Sequence, residues 1–248
     1  MSGLIDLHCH MLPGIDDGAQ SLEDTKDLLN ASAEQGVKKI IFTPHFYPER
    51  MDLYTFLRNR ERAVEQTAPL CEALGIEYRF GAEVQITPVL ARLPLRELAF
   101  SDTQYLLLEL LFDYEPYDVL GLIGRLRDQG YTPILAHVER YPYVAENPEL
   151  LYRWVKAGAL AQVNAGWILH DGKAKKRLEL YDRHNLVHLI SSDAHSIDAR
   201  PQNLKRGYAA LNADLAEKLL TNAGAIFENK APAFAPPVKP ERRFGRWR

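Results

Sequence analysis

Cysteine is scarce in this chain of 248 residues, which contains only Cys9 and Cys71. Two thiols do not make the framework of disulfides that stabilises small secreted domains. A chain of this length can bury roughly three quarters of its unfolded surface, so its core needs no such bridges. Because this cysteine usage suits a reducing compartment, we expect a cytoplasmic protein.

Long apolar runs are also missing. The most apolar stretch, Tyr105–Phe112, is far shorter than the ~20 residues of a membrane-spanning helix and has Glu109 in its middle. The first residues include an acid and histidines where a signal peptide would carry a basic segment and an apolar run. The net charge of −3 argues against a dedicated nucleic-acid binder. We therefore expect neither membrane insertion nor nucleic-acid binding.

Apolar strands alternate with amphipathic helices along the chain. This alternation is typical of a parallel sheet that is either doubly wound or closed into a barrel. The number of strands and the length of 248 residues favour the barrel. The predicted strands cover residues 4–7, 37–43, 78–83, 105–109, 132–137, 160–164 and 187–192.

The composition changes at residue 230, where the chain becomes rich in proline and basic residues. We therefore divide it into one domain, residues 1–230, and a tail, residues 231–248, that we expect to be loosely ordered. The alternative is that this tail docks onto an acidic partner.

Two histidines, His8 and His10, follow the first predicted strand. Alternate residues of an extended chain point the same way, so both imidazoles can face one metal ion. Cys9 should then point to the opposite face. An H-x-H pair alone is a weak signal, and its meaning depends on whether other strands end in ligands.

Six of the seven predicted strands end in an imidazole or a carboxylate, and the loop after the first strand adds another carboxylate. The carboxyl ends of barrel strands meet at one mouth, where active sites lie. Taken singly, His45 and His137 could pack in the core, Glu109 could pair with a buried arginine, and Asp17 could stabilise a turn. Together, such groups would repel and desolvate one another without cations, so we infer a multinuclear metal site. The set is His8, His10, Asp17, His45, Glu83, Glu109, His137, Asp193 and His195.

Three histidines, His170, His184 and His188, do not fit this pattern, and we interpret them as surface or packing residues.

Short segments over residues 5–201 resemble the PHP (polymerase and histidinol phosphatase) superfamily. Among its branches, they are most similar to the bacterial metal-dependent protein-tyrosine phosphatases that regulate capsule and exopolysaccharide synthesis. The segments are Ile5-Asp6-Leu7-His8-Cys9-His10, Asp16-Asp17-Gly18, Thr43-Pro44-His45, Gly81-Ala82-Glu83, Leu108-Glu109, Ala136-His137-Val138-Glu139-Arg140-Tyr141, Ser192-Asp193-Ala194-His195 and Arg200-Pro201.

The resemblance implies a distorted (β/α)7 TIM-like barrel of the PHP type that holds three divalent metal ions on the nine residues above. It implies that Glu83 bridges two ions and that Arg140 and Arg200 hold the phosphate. Mixed imidazole and carboxylate ligands suit Mn, Fe or Zn. We expect Mn²⁺, with Fe, Zn or Mg as alternatives.

The implied reaction is phosphotyrosine hydrolysis by attack of a metal-bridging hydroxide, and the expected partner is the tyrosine-rich tail of a bacterial tyrosine kinase. Chemistry by a cysteine nucleophile is disfavoured, because no arginine stands six residues after Cys9 or Cys71. Two alternatives stay open: a small-molecule phosphatase of the histidinol-phosphate type, and a non-catalytic PHP scaffold that binds phosphotyrosine.

Overall fold

The computed structural model describes residues 3–243 and 246–247. The strands are β1 Leu4–Cys9, β2 Val37–Phe42, β3 His45–Phe46, β4 Glu77–Phe80, β5 Glu83–Gln85, β6 Tyr105–Glu109, β7 Thr132–Leu135, β8 Leu160–Asn164, β9 Leu189–Ser191, β10 Arg242–Arg243 and β11 Arg246–Trp247. The α-helices are α1 Leu22–Glu34, α2 Leu53–Leu74, α3 Leu95–Leu98, α4 Val119–Asp128, α5 Pro142–Glu146, α6 Pro148–Lys156, α7 Ala165–Ile168, α8 Gly172–Arg183, α9 Leu204–Ala209 and α10 Ala213–Phe227. Short 3-10 turns cover Leu90–Arg92 and Val138–Arg140.

The strands β1 to β9 pair in parallel, in the orders β1-β2-β4 and β3-β5-β6-β7-β8-β9. A bridge between Cys9 and Ala194 connects β1 to the segment after β9, so the sheet curls back towards its first strand. This arrangement confirms the prediction of an α/β fold on a curled parallel sheet. The count of seven barrel strands stays a prediction.

Irregular backbone precedes two predicted ligands, His45 and Glu83. Residues 78–83 divide into β4 and β5, with the N–H of Gly81 donating to the carbonyl of Phe42 at 2.8 Å. The strand before His45 likewise ends at Phe42 and resumes at His45 itself. These breaks let His45 and Glu83 stand side by side as a register pair of β3 and β5.

The interior of the curled sheet is apolar at the end remote from the predicted ligands. Strands β1, β2, β6, β7, β8 and β9 contribute to one buried cluster, and α10 closes it with Ile226 and Phe227. The strand members are Ile5, Leu7, Ile41, Tyr105, Leu107, Ile134, Leu160 and Leu189. A second, larger cluster contains the intervening strand residues and the buried faces of the helices. The two clusters lie on opposite faces of the sheet, because successive side chains of a strand point to opposite faces.

An extra residue in β1 changes which side of that strand faces inward. Asp6 pairs with Ile40 and Cys9 with Phe42, so three steps along β1 match two steps along β2. Such a bulge reverses the alternation of side chains. Leu7 therefore lies in the inner cluster while its neighbour His8 faces the site above, and Cys9 lies in the outer cluster.

The tail runs along the surface of the domain. The N–H of Val238 donates to the carbonyl of His184 at 2.8 Å, and Lys239 Nζ lies 2.7 Å from Glu149 Oε1. Phe244, Gly245 and Arg248 of the tail lie outside the described residues. The division at residue 230 and the loose order of the tail stay predictions.

Within the described part of the chain, no helix is long and apolar enough to cross a membrane.

Two helix glycines give a matched test of this packing. A Cβ on Gly207 of α9 would lie 2.7 Å from Ala165 Cβ and 3.0 Å from Ala165 Cα, whereas one on Gly124 of α4 would meet nothing within 4 Å. We expect Gly207→Ala to lower the free energy of unfolding by about 1–3 kcal/mol through overpacking. Gly124→Ala should raise it by about 0.5–1 kcal/mol through helix propensity. Urea denaturation measures both, and equal effects would contradict the close approach of α7 and α9.

Candidate metal centre

A single buried carboxylate, that of Glu83 at the start of β5, lies at the centre of the site. Its Oε2 is 3.1 Å from His8 Nε2, from His10 Nε2 and from His45 Nδ1. Its Oε1 is 2.7 Å from His137 Nε2. Four imidazoles from three segments of the chain therefore converge on one carboxylate.

The remaining predicted ligands surround this group. Asp193 Oδ1 is 3.4 Å from His8 Nε2, and Asp17 Oδ1 is 3.3 Å from His195 Nε2. Glu109 Oε1 lies 3.9 Å from His137 Nε2. Asp17 is 61% exposed and forms the rim, whereas the other ligand side chains are buried or nearly so.

Three groups of ligand-type atoms lie close enough to share an ion. They are His10, Asp17, His45 and His195; His8, His10 and Asp193; and His45, Glu83 and Glu109. His137 joins them through its contact with Glu83. The structure thus brings all nine predicted residues together, and their role as ligands stays a prediction.

The contacts of two imidazoles, His45 and His195, fit metal binding better than hydrogen bonding. His45 Nδ1 lies 3.1 Å from Glu83 Oε2 but makes no hydrogen bond, and His195 Nε2 is also buried without one. Nitrogen ligands lie about 2.0–2.1 Å from a shared Zn²⁺ ion, and carboxylate oxygens at about 2.0–2.2 Å. Two ligands on one such ion are then about 3–3.5 Å apart, which is the spacing found here.

The backbone is strained at two of these residues. His137 has a φ of 32° and Asp193 a φ of 53°, both in the left-handed region that residues other than glycine rarely adopt. The predicted strand 132–137 ends early, because β7 covers only Thr132–Leu135. The backbone turns away from the sheet at His137, two residues later. Strain of this kind concentrates at functional sites because the surrounding structure must hold it.

Hydrogen bonds behind the ligands orient the imidazoles. Asp16 Oδ2 lies 2.7 Å from His10 Nδ1 and accepts from the N–H of His45 at 2.9 Å. Gln162 Oε1 accepts from the N–H of His137 at 2.8 Å and lies 3.1 Å from His8 Nδ1. These contacts fix ring orientation and tautomer, as in known metal sites.

Sequence reasoning missed these supporting residues. Gln162 and Asn164 end β8, which is the one predicted strand without a ligand-type residue at its end, and Asn164 Nδ2 donates to Asp193 Oδ2 at 2.7 Å. Polar residues at alternate positions of this strand end were the available signal. Phe112 was also missed, and it lies between His137, at 5.6 Å between ring centroids, and the guanidinium of Arg140, 4.7 Å from its ring.

Burial and charge shift the pKa values of the site in opposite directions. Burial raises the pKa of Glu83, but the charges of His8 and His137 outweigh it and hold that pKa well below its usual value. Burial and the charge of Glu83 raise the pKa of Glu109 to about 8. Burial, followed by the charge of His10, lowers the pKa of His45 to about 4. His45 is therefore neutral at pH 7, as a metal ligand must be.

The two predicted phosphate-binding arginines lie at the rim. Arg140 Nη1 is 3.6 Å from Asp193 Oδ2, and Arg200 Nη2 is 2.8 Å from Asp17 Oδ2. The described structure shows no ion pair between Arg140 and Glu139, whose buried carboxylate instead accepts from the N–H of Asn164 at 3.1 Å. Both guanidinium groups are partly exposed and can reach a ligand.

Of the three histidines outside the predicted metal set, His170 lines a cavity beside Arg140 and Arg200, whereas His184 and His188 do not. His184 and His188 are buried, and His188 Nδ1 accepts from the N–H of Ala161 at 3.0 Å. His170 is exposed.

Comparison with known proteins relates residues 4–230 to the family model described as "Capsular polysaccharide synthesis, CpsB/CapC". The chain is 32% identical to the tyrosine-protein phosphatase YwqE of Bacillus subtilis, over 97% of this chain and 98% of that protein. It is 30% identical to the tyrosine-protein phosphatase CpsB of Streptococcus pneumoniae, over 83% of this chain and 88% of that protein. A crystal structure from work on YwqE and CpsB, described as metal-dependent tyrosine phosphatases, superposes with a TM-score of 0.84 at 29% identity, covering 96% of this chain and all of that one.

The contact between Asp16 and His10 gives a first prediction for this site. Asp16→Asn should lower the affinity for Mn²⁺ about 10- to 100-fold, because the amide orients the imidazole of His10 less strongly than the carboxylate does. Asp27→Asn, on the exposed face of α1, is the control. Calorimetric titration of metal-free protein measures both, and equal affinities would contradict an orienting role for Asp16.

The raised pKa of Glu109 gives a second prediction. Below its pKa of about 8 the carboxyl is protonated in the metal-free protein, so metal binding must release that proton. The contribution of Glu109 to the affinity should therefore rise with pH up to about 8 and then level off. Calorimetry at pH 7 in two buffers of different ionisation enthalpy counts the protons that are released when metal binds. Glu109→Gln should release fewer protons than wild type. The control Glu115→Gln, at an exposed position, should release as many as wild type. Identical proton release by all three would contradict this assignment.

Proposed function

Since the chain belongs to the CpsB/CapC family of capsular polysaccharide synthesis, we propose that it is a metal-dependent protein-tyrosine phosphatase. The tyrosine-protein phosphatases to which it is similar match it over nearly their whole length. The observation that carries the proposal is the position of Arg140 and Arg200 beside the carboxylates that face the centre. This position supports a role for both arginines in holding the phosphate beside the proposed metal ions, as hydrolysis of a phosphate monoester requires.

We propose that the nine converging residues hold three divalent ions, most suitably Mn²⁺, with Fe, Zn or Mg as alternatives. The three groups of ligand atoms around Glu83 support this number. The position of Glu83, in contact with four imidazoles, supports its assignment as a bridging ligand. When bound, such ions lower the pKa of water and neutralise phosphate charge.

The chain's own residues bind and orient the substrate. Arg140 and Arg200 each offer a planar fork of donors to the phosphoryl oxygens. Phe112 packs on the guanidinium of Arg140 and thereby limits its orientations. A tyrosinate leaving group has a conjugate acid with a pKa of about 10, so it departs with less help from an acid than an alkoxide does.

The substrate is a phosphotyrosine-bearing protein, and we propose the tyrosine-rich tail of a bacterial tyrosine kinase that controls capsule or exopolysaccharide synthesis. The family description supports this pathway. We also propose a cytoplasmic location, which the free, buried thiols of Cys9 and Cys71 support.

For the architecture we propose a distorted (β/α)7 barrel in residues 1–230, in which β2 with β3 and β4 with β5 each count as one interrupted strand. Residues 231–248 form an appended tail, and the end of the family match at residue 230 supports this division.

The roles of metal and arginine can be separated by mutation. His137→Ala should lose bound Mn²⁺ and phosphotyrosyl-peptide hydrolysis together. Arg140→Ala should keep its metal and lose about 10²–10³-fold in turnover, as expected when a donor to developing charge is removed. Arg125→Ala, whose guanidinium pairs with Asp118 on the surface, is the matched control. Metal analysis and steady-state kinetics measure these effects.

Two results would count against the proposal. Full activity after removal of metal with a chelator would exclude a metal-dependent reaction. A higher kcat/KM for histidinol phosphate than for a phosphotyrosyl peptide would assign the site to small-molecule hydrolysis.

A further inference from the structure

A cavity of about 500 Å³ opens beside Arg140 and Arg200. It reaches Asp193 at the edge of the metal centre and extends between the residues that follow β8 and those of α9. Cavities of about 300–1,000 Å³ hold ligands of drug size. This one therefore has room for more of a substrate than the phosphoryl group alone.

The lining includes Trp167, His170 and Arg206, for which the proposed reaction has no use. Local packing explains why they share one cavity. Gly207 allows α9 to approach Ala165, since a Cβ at that position would collide with it. Trp167 lies in α7, two residues beyond Ala165, and Arg206 precedes Gly207 in α9, so this contact brings the two side chains to one wall.

The charge of this cavity favours an anion. Its two acidic side chains, Glu139 and Asp193, are both buried and both accept hydrogen bonds from Asn164. Among its arginines, Arg140 and Arg200 lie within 4 Å of carboxylates of the metal centre. Arg206 is exposed and makes no ion pair with any residue of 3–243 or 246–247. Among the residues that the structure describes, Arg206 is thus a guanidinium without an ion-pair partner in the same cavity as the proposed phosphate-binding pair.

We propose that Arg206, with His170 and Trp167 beside it, forms a subsite for a second anionic group of the substrate. The proposal rests on the proposed function and adds a substrate class: phosphotyrosyl segments with a carboxylate or a second phosphoryl group close to the phosphotyrosine. A guanidinium binds either group through paired N–H donors. The indole of Trp167 offers an apolar face to the carbon atoms that carry the anion.

Three peptides of equal length test this subsite on the Mn²⁺-loaded enzyme. Each contains one phosphotyrosine, flanked by neutral residues, by glutamates or by a second phosphotyrosine. The variants are Arg206→Gln and the matched control Lys205→Gln, which removes the same charge from an exposed position of α9 outside the cavity. Because both lower the net charge equally, general attraction of acidic peptides is controlled for.

We expect wild type to prefer an anionic peptide over the neutral one in kcat/KM. Arg206→Gln should reduce that preference about fivefold through KM, the size of an exposed ion pair, whereas Lys205→Gln should keep it within about twofold. A preference for the doubly phosphorylated peptide alone would assign the subsite to a phosphoryl group, and one for the glutamate peptide to a carboxylate.

The same preference in both variants, or none in wild type, would overturn the subsite while leaving the phosphatase assignment intact. Failure of the metal-loaded wild type to hydrolyse any of the three peptides would instead overturn the proposed function, and the subsite with it.

Discussion

The buried carboxylate of Glu83 is the contact on which the rest of the site depends. An isolated charge in the interior costs several kcal/mol, so it persists only where opposite charges or ions surround it. Here the imidazoles of His8, His10, His45 and His137 lie within 3.1 Å of its two oxygens. Because these rings come from β1, β3 and the segments after β1 and β7, contacts with one carboxylate connect distant strands at the mouth of the sheet. The apolar cluster below supports this arrangement without contributing a ligand.

Departures from regular structure bring the ligands to that point. A regular β1 would alternate through Leu7, His8 and Cys9, and could not direct both Leu7 and His8 inward. The bulge between Asp6 and Cys9 permits it. His137 and Asp193 reach the site through left-handed backbone conformations, which cost of order 1–3 kcal/mol each. Regular strands and helices build the frame, and the irregular residues at the strand ends direct the ligand atoms.

This division explains what the sequence could and could not predict. Strand positions and ligand-type residues were predictable, since apolar alternation and the polar residues that end it are local patterns. The interruptions before His45 and Glu83 depend on pairing between strands far apart in the chain, which no local pattern records. Asp16, Gln162 and Phe112 each contact residues brought close by the fold, namely His45, His8 and His137. A polar residue in a turn or at a strand end and an aromatic in a loop do not reveal such partners, although the alternate polar residues at the end of β8 were a local signal. The surface course of the tail is likewise set by contacts with His184 and Glu149.

Two carboxylates connect the metal side of the site to its anion side. Asp17 directs Oδ1 towards His45 and His195 and Oδ2 towards Arg200. Asp193 does the same, with Oδ1 near His8 and Oδ2 near Arg140 and Asn164. Each carboxylate thus directs one oxygen towards imidazoles of the predicted metal centre and the other towards a guanidinium. The arginines are therefore positioned by two of the predicted metal ligands, because the two oxygens of a carboxylate can accept from different partners at once. These two shared carboxylates give a physical reason why the proposed phosphate-binding and metal-binding groups lie side by side.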